Sequence, residues 1–337
     1  MDSRLAVYHA ATMPIDIRTF EAGDLDAAAL LLAERHARHR ASEPLLDPAF
    51  EDGVAARGEI EALLGAESAA GWTAREGGDV VGYVIGMAKP MSTWGRNVWV
   101  EPAGHAATSA RIVRSLYAVA AEAWTNEDRM NHHVLVPASD DVLIDAWFSL
   151  DFGQQHLHAV REVPPQDFGV VPDSELVIRR ASRDDIPVLA ELELVLPQHM
   201  ARAPVLSPLP IQPVEEVQAE IEGDFDDPTF TWFVAEHDGR VVGDAIACGL
   251  EKSSGNNSLI RPSKAGFLGY AAVLPEARGL GAGRALGQSV LAWSRDEGYT
   301  SVATDWRSTN IEADGAWRGL GFRPTFRRLH RSIVRVS

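Results

Sequence analysis

The chain has 337 residues, 46% hydrophobic and 23% charged, a globular composition long enough for two domains of ordinary size. Its formal charge of −17 excludes sequence-independent nucleic-acid binding, which needs basic surface, and makes an anionic membrane an unsuitable partner. One cysteine, Cys248, excludes an intramolecular disulfide and fits a reducing compartment; in the apolar run DAIACGL it reads as a small buried hydrophobe. No stretch approaches the ~20 apolar residues of a membrane span and no signal-peptide pattern opens the chain, so a cytoplasmic protein is expected.

Strand-like alternation begins only after Met13. IDIRTFEAGDLDAAALLLAE (residues 15–34) predicts a short strand, an Asp-bearing cap and an amphipathic helix. GWTAREGGDVVGYVIGMA (71–88) alternates on both sides of a glycine turn and predicts a hairpin. The strand NVWVEP (97–102) leads into AGHAATSARIVRSLY, a helix entered through a segment whose one glycine is Gly104. His132 and His133 adjoin a further strand, and AWFSLDFGQQHLHAVREV (146–163) ends in one that puts His156 and His158 on the same face. No further ligands at metal spacing accompany these histidines, so no metal is expected.

The segment VPPQDFGVVPDSE (163–175) is rich in proline and acid and has no periodicity, and after it the pattern starts again. LVIRRASRDDIPVLAELELV (176–195) repeats the first strand and helix, with Ser182 and Asp185 as a capping box. TWFVAEHDGRVVGDAIACG (231–249) repeats the hairpin, now with an Asp238-Gly239 turn. GFLGYAAVL (266–274) is a strand, a helix follows with Leu286, Val290 and Trp293 on one face, and SVATDW (301–306) is another strand. AWRGLGFRPTFRRLHRSI (316–333) echoes residues 146–163. The order of elements in each half is that of an α/β unit with a mixed sheet, and the duplication sets two domains, 1–165 and 172–337.

Between strand and helix of the second half lies ARGLGAGRA (277–285), with Gly279, Gly281 and Gly283 flanked by Arg278 and Arg284. Glycines there permit positive φ and close approach of a ligand to the main chain, and bare N–H groups opening a helix attract an anion, so a phosphate compound is expected. A P-loop is excluded because no Lys-Ser or Lys-Thr follows. The dinucleotide fingerprint fails as well, since its third glycine would fall on Leu286. A ligand-free glycine turn remains open on these residues alone.

Val273, Pro275, Arg278, Gly279, Gly281, Gly283 and Leu286 together resemble the acetyl-CoA signature of the GNAT superfamily of N-acetyltransferases. Asn310, Ala313, Trp317 and the LGF run 320–322 resemble its second motif, so the resemblance covers the whole second half. It implies two tandem GNAT-like domains, each a mixed, mostly antiparallel sheet flanked by helices. It also implies acetyl-CoA as co-substrate, held by Ala272, Val273, Arg278, Gly279, Leu280, Gly281, Ala282, Gly283, Arg284 and Asn310. The first half has Trp147 matching Trp317, but Asp151 where the second has Gly321, and too few glycines, so it is expected not to bind CoA.

The family's reaction is acyl transfer to an amine, so a small-molecule amine is the expected partner. Where many members place an acidic tyrosine this chain has Trp317, which reads as a packing residue, and the usual strand carboxylate is missing. The candidates left for the chemistry are Tyr270, the polar side chain of residues 267–273, and Glu251 at the hairpin's end, with Asp305 at the end of the following strand as another possible base. With these departures, an acyl-CoA-binding regulatory or scaffold protein without turnover stands as the alternative.

Overall fold

The computed structural model describes residues 14–90, 94–165, 175–207, 210–253 and 259–334; the first residues and most of the 163–175 boundary lie outside it. In the first half the order is β1 (Asp16–Thr19), α1 (Leu25–Ser42), α2 (Gly53–Leu64), the hairpin β2 (Ala70–Glu76) and β3 (Asp79–Gly86), β4 (Asn97–Val100), β5 (His105–Ala107), α3 (Ala110–Asn126), β6 (Asn131–Pro137), α4 (Asp141–Phe148) and β7 (Gly153–Glu162). In the second half it is β8 (Leu176–Arg180), α5 (Ile186–Glu193), α6 (Val195–Met200), α7 (Val214–Asp224), the hairpin β9 (Thr231–His237) and β10 (Arg240–Gly249), β11 (Ala265–Val273), α8 (Ala282–Asp296), β12 (Ser301–Arg307), α9 (Ile311–Gly319) and β13 (Arg323–Ser332). The capping box forms as expected, Ser182 and Asp185 each serving the other's main chain, and Glu21 with Asp24 repeats it in the first half. Among the described residues no helix is long and apolar enough to cross a membrane.

The fold class is the expected one, mixed and mostly antiparallel, with parallel pairing at β4–β6 and at β11–β12. The sheets do not divide where the sequence does. One sheet of four strands, β1-β2-β3-β5, belongs to the first half, but a sheet of nine runs β4-β6-β13-β7-β12-β11-β10-β9-β8 through both. Each half gives its last strand to the other: β7 lies between β12 and β13, and β13 lies between β6 and β7.

Burial explains why the exchange holds. Leu157 and Ala159 of β7 pack in the second half's core with Leu286, Val290, Trp306 and Trp317. In return, Leu329 of β13 packs in the first half's core with Tyr117 and Trp147, and Phe326 joins a neighbouring cluster with Leu32 and Leu135. Arg323, at the start of β13, is clamped by Glu43 and Glu162 of the first half at 2.8–3.1 Å. Trp317 is 8% exposed and packs edge-on against Phe322, the packing role expected of it.

Several imidazoles are largely desolvated in this architecture. Burial pushes His39, His105 and His156 down to about 3 and His132 to about 4. A group whose folded pKa lies below its unfolded one supports the fold fully above the unfolded value, about 6.5, and loses that support as pH falls toward the folded value. At pH 5 each of these four costs about 2 kcal/mol of stability. Calorimetric melting is therefore expected to drop steeply between pH 7.5 and 5, well above the range where carboxylates titrate. An unchanged Tm across that interval would show that these rings are solvated.

Candidate functional site

The site begins where two parallel strands part. β11 and β12 pair only from Ala265 with Ser301 to Leu268 with Thr304, and the Thr304 hydroxyl closes the pairing by donating to the Leu268 carbonyl at 2.9 Å. Gly269 is the extra residue of a bulge against β10, where the register slips between Ile246 and Ala247. From there to Val273, β11 follows β10 and leaves its other main-chain edge facing a cavity of about 800 Å³. Such an edge accepts an extended, amide-bearing ligand as an added strand.

Beyond Val273 a single 3-10 turn, Pro275–Ala277, delivers the chain to the glycine run. Gly279 and Gly281 have φ +86° and +87°, and Gly281, left-handed, is the residue from which α8 starts. Among the described residues no side chain caps α8, and the first-turn amides of Ala282, Gly283 and Arg284 find no acceptor there, so they carry the positive end of a 15-residue helix. A Cβ added at Gly279 or Gly281 would meet nothing within 4 Å. These two glycines thus serve the backbone conformation and an open approach, not packing. Gly281→Val is expected to leave the domain folded and to weaken acetyl-CoA binding at least about tenfold, the loss of one charge-assisted hydrogen bond of about 1.5–3 kcal/mol. Calorimetric titration of both proteins checks it, and wild-type affinity in a folded variant would remove the loop from the binding site.

The cavity gathers most of the residues singled out from the sequence. Tyr270, Ala272, Val273, Arg278, Gly279, Gly281, Ala282, Gly283, Arg284 and Asn310 all line it. Leu280, on the same loop, is 42% exposed at its tip. Asn310 also caps α9, accepting the Ala313 N–H at 3.2 Å. Arg278 lies 4.0 Å from Glu312 at the mouth.

The two catalytic candidates fare differently. Tyr270 faces the cavity, but its hydroxyl donates to the Leu192 carbonyl at 2.8 Å. Burial, with Asp244 and Glu193 nearby, pushes its pKa far above that of an ordinary phenol, which makes it a poor proton donor. Glu251 is not brought to this cavity. It lines a separate one of about 280 Å³ with Asp47, Arg261 and Tyr299. The register explains the displacement: Gly249, just before Glu251, pairs with Gly266, at the end of β11 remote from its free edge.

Asp305 does reach the cavity, and with it a group that sequence reasoning set aside. His156, on the exchanged strand β7, donates its Nε2–H to Asp305 Oδ1 at 2.8 Å. Burial and the Arg328 charge push His156 down to about 3. Burial alone would raise Asp305, but the His156 hydrogen bond and the surrounding positive charges hold it at about 2. The pair is therefore a neutral imidazole on an ionised carboxylate, with His156 Nδ1 bearing a lone pair, buried, and without a hydrogen-bond partner among the described residues. These residues are 149 apart in sequence, and no local signal joins them.

The first half shows what the site becomes without its loop. There β4 pairs with β6, β5 pairs with β3, and the Arg35 guanidinium fills the gap by donating to the carbonyls of Pro102 and His105. Gly104 is a packing glycine, since a Cβ there would meet the Ile85 carbonyl at 2.7 Å. The counterpart of residues 274–281 is only Thr108 and Ser109, and the Ser109 hydroxyl caps α3 at the Ile112 N–H. A cavity of about 680 Å³ persists beside it, lined by Glu34, Arg38, Asp140 and Asp141 among others, but without the glycine cradle.

Comparison with known proteins agrees with this geometry. The sequence profile of the acetyltransferase (GNAT) family matches residues 198–322, inside the half that carries the loop. An aminoglycoside N(6')-acetyltransferase type 1 of Stenotrophomonas maltophilia is 34% identical over 116 residues, 31% of this chain and 74% of that protein. Human N-acetyltransferase 8B is 31% identical over 94 residues, 28% of this chain and 39% of that one. The crystal structure of a GCN5-related N-acetyltransferase from Sphaerobacter thermophilus shares the fold over 97% of this chain and 98% of its own, with a TM-score of 0.60 at 15% identity.

Proposed function

We propose that this chain, which belongs to the acetyltransferase (GNAT) family, moves an acetyl or other acyl group from acyl-CoA to the amine of a small molecule. One observation carries the reading: the free edge of β11, the uncapped start of α8 and the His156–Asp305 pair open on a single cavity. The α8 amides and Arg278 and Arg284 supply the anion site for the pyrophosphate, and the β11 edge aligns the pantetheine arm.

In the reaction the amine nitrogen bonds to the thioester carbonyl carbon, and the carbon–sulfur bond breaks. The His156–Asp305 pair takes the proton that the nitrogen sheds, with Asp305 fixing the tautomer and supporting the imidazolium that forms. Attack on the carbonyl makes the nitrogen more acidic, and Asp305, by stabilising the imidazolium, brings the transfer within reach of a weak base. The thiolate leaves and is protonated by water; a thiol of pKa about 8.5 is a tolerable leaving group, so Tyr270 need not donate. The first half contributes His156 and a wall of the cavity and binds no CoA of its own.

Incubation with acetyl-CoA and a panel of amino acids, simple amines and aminoglycosides, following free thiol, tests the proposal. Amine-dependent thiol release is expected. Binding of acetyl-CoA with no release from any amine would favour the scaffold alternative.

A further inference from the structure

The overall charge of −17 favours a cationic acceptor, yet the cavity's interior carries the opposite sign. Arg307 and Arg328 both line it. Arg307 is half-buried and, among the described residues, its guanidinium makes no hydrogen bond or ion pair; its contact is the Trp94 ring, 5.4 Å from the guanidinium carbon. Arg328 is 9% exposed, lies 5.1 Å from the same ring, and donates through Nε to Gln155 Oε1 at 2.9 Å, while its two terminal nitrogens have no bonded partner among the described residues. A desolvated guanidinium is costly unless an anion meets it, and the two carboxylates near these cations, Asp305 and Glu101, already serve His156 and Lys89.

The cofactor's phosphates are not that anion. Along β12, Trp306 points into the core beneath α8, so Asp305 and Arg307, on either side of it in sequence, point to the opposite face of the sheet from the helix that offers its amides. Register places His156 opposite both Arg307 and Arg328, which gathers the two cations around the proposed base.

We infer that the acceptor amine carries a carboxylate, seated by Arg307 and Arg328 against Trp94, with its amino group presented to His156. This rests on the acyl-transfer reading of the same cavity. A planar carboxylate suits the guanidinium fork, whereas a polycationic amine would meet like charge. The bound carboxylate would also offset the positive charge that weakens His156, so the correct acceptor strengthens its own base.

Matched pairs test it: β-alanine and glycine against β-alaninamide and glycinamide, and phosphoethanolamine against ethanolamine, each with acetyl-CoA and thiol detection. The carboxylates are expected to exceed their amides in kcat/KM by at least about tenfold. Arg307→Met should raise KM for the acids by a similar factor, leave KM for the amides unchanged, and leave the acetyl-CoA Kd at the wild-type value. Arg307→Lys should restore part of the loss. Calorimetric binding of N-acetyl-β-alanine, against its amide, reads the same preference without turnover. Equal use of acids and amides would overturn the inference while leaving acyl transfer standing. A preference for phosphoethanolamine would replace carboxylate by phosphate, and a weakened acetyl-CoA Kd in Arg307→Met would assign that residue to the cofactor. Absence of thiol release from every amine, with no binding of the acetylated acid, would remove both readings.

Discussion

Residues 172–337 produced alone are expected to give no monomeric, active acetyltransferase. The fragment keeps the glycine loop and the free edge of β11, but β12 loses β7, its neighbour from Ser301 to Arg307, and β13 loses both of its neighbours. The apolar side chains Leu157 and Ala159 leave the core around Trp306 and Trp317, and losing a leucine side chain alone from such a core costs about 2–5 kcal/mol. Against a total stability of about 5–15 kcal/mol, that is enough to unfold the half or drive it to pair with another copy. The proposed base goes with the missing strand. Coexpression with residues 1–165 should restore both fold and activity by supplying β7. Full activity from a monomeric fragment would show that β13 can take β7's place and that His156 is dispensable.

His156→Gln lowers kcat by about a hundredfold, at the modest end of general-base effects because the imidazole is a weak base. Glutamine keeps the volume and can still donate to Asp305, so melting temperature and the acetyl-CoA Kd should stay at the wild-type values. The rate–pH profile carries a second signature. Since burial and Arg328 hold His156 neutral down to about 3, the wild-type profile should show no acid limb near 6.5 and should rise with the ionisation of the acceptor amine. A limb near 6.5 would mean that a solvated histidine acts instead. Unchanged kcat in the variant would leave the reaction to positioning alone.

Much of the molecule is determined by the sequence itself. Alternation and glycine placement mark the strand and helix around residues 277–285, because a positive φ at Gly279 and Gly281 and an uncapped helix start are local properties of the residues that form them. The duplication is equally local, since each half repeats its elements in the same order. Tertiary structure decided the rest. The alternation of residues 153–162 shows that His156 and His158 share a face, but a strand's period says nothing about which strands lie beside it. Pairing is a property of two edges and the cores behind them, and here it joined each half to the other's last strand. The same limit misled the choice of carboxylate: Glu251 is near the hairpin's end in sequence, but register carries it to the far end of β11, while Asp305 is brought under His156. Chemistry that depends on proximity across the sheet is fixed only when the strands choose their neighbours, and that choice follows from burying Leu157 and Ala159 in one half's core and Phe326 and Leu329 in the clusters of the other, rather than from any one segment.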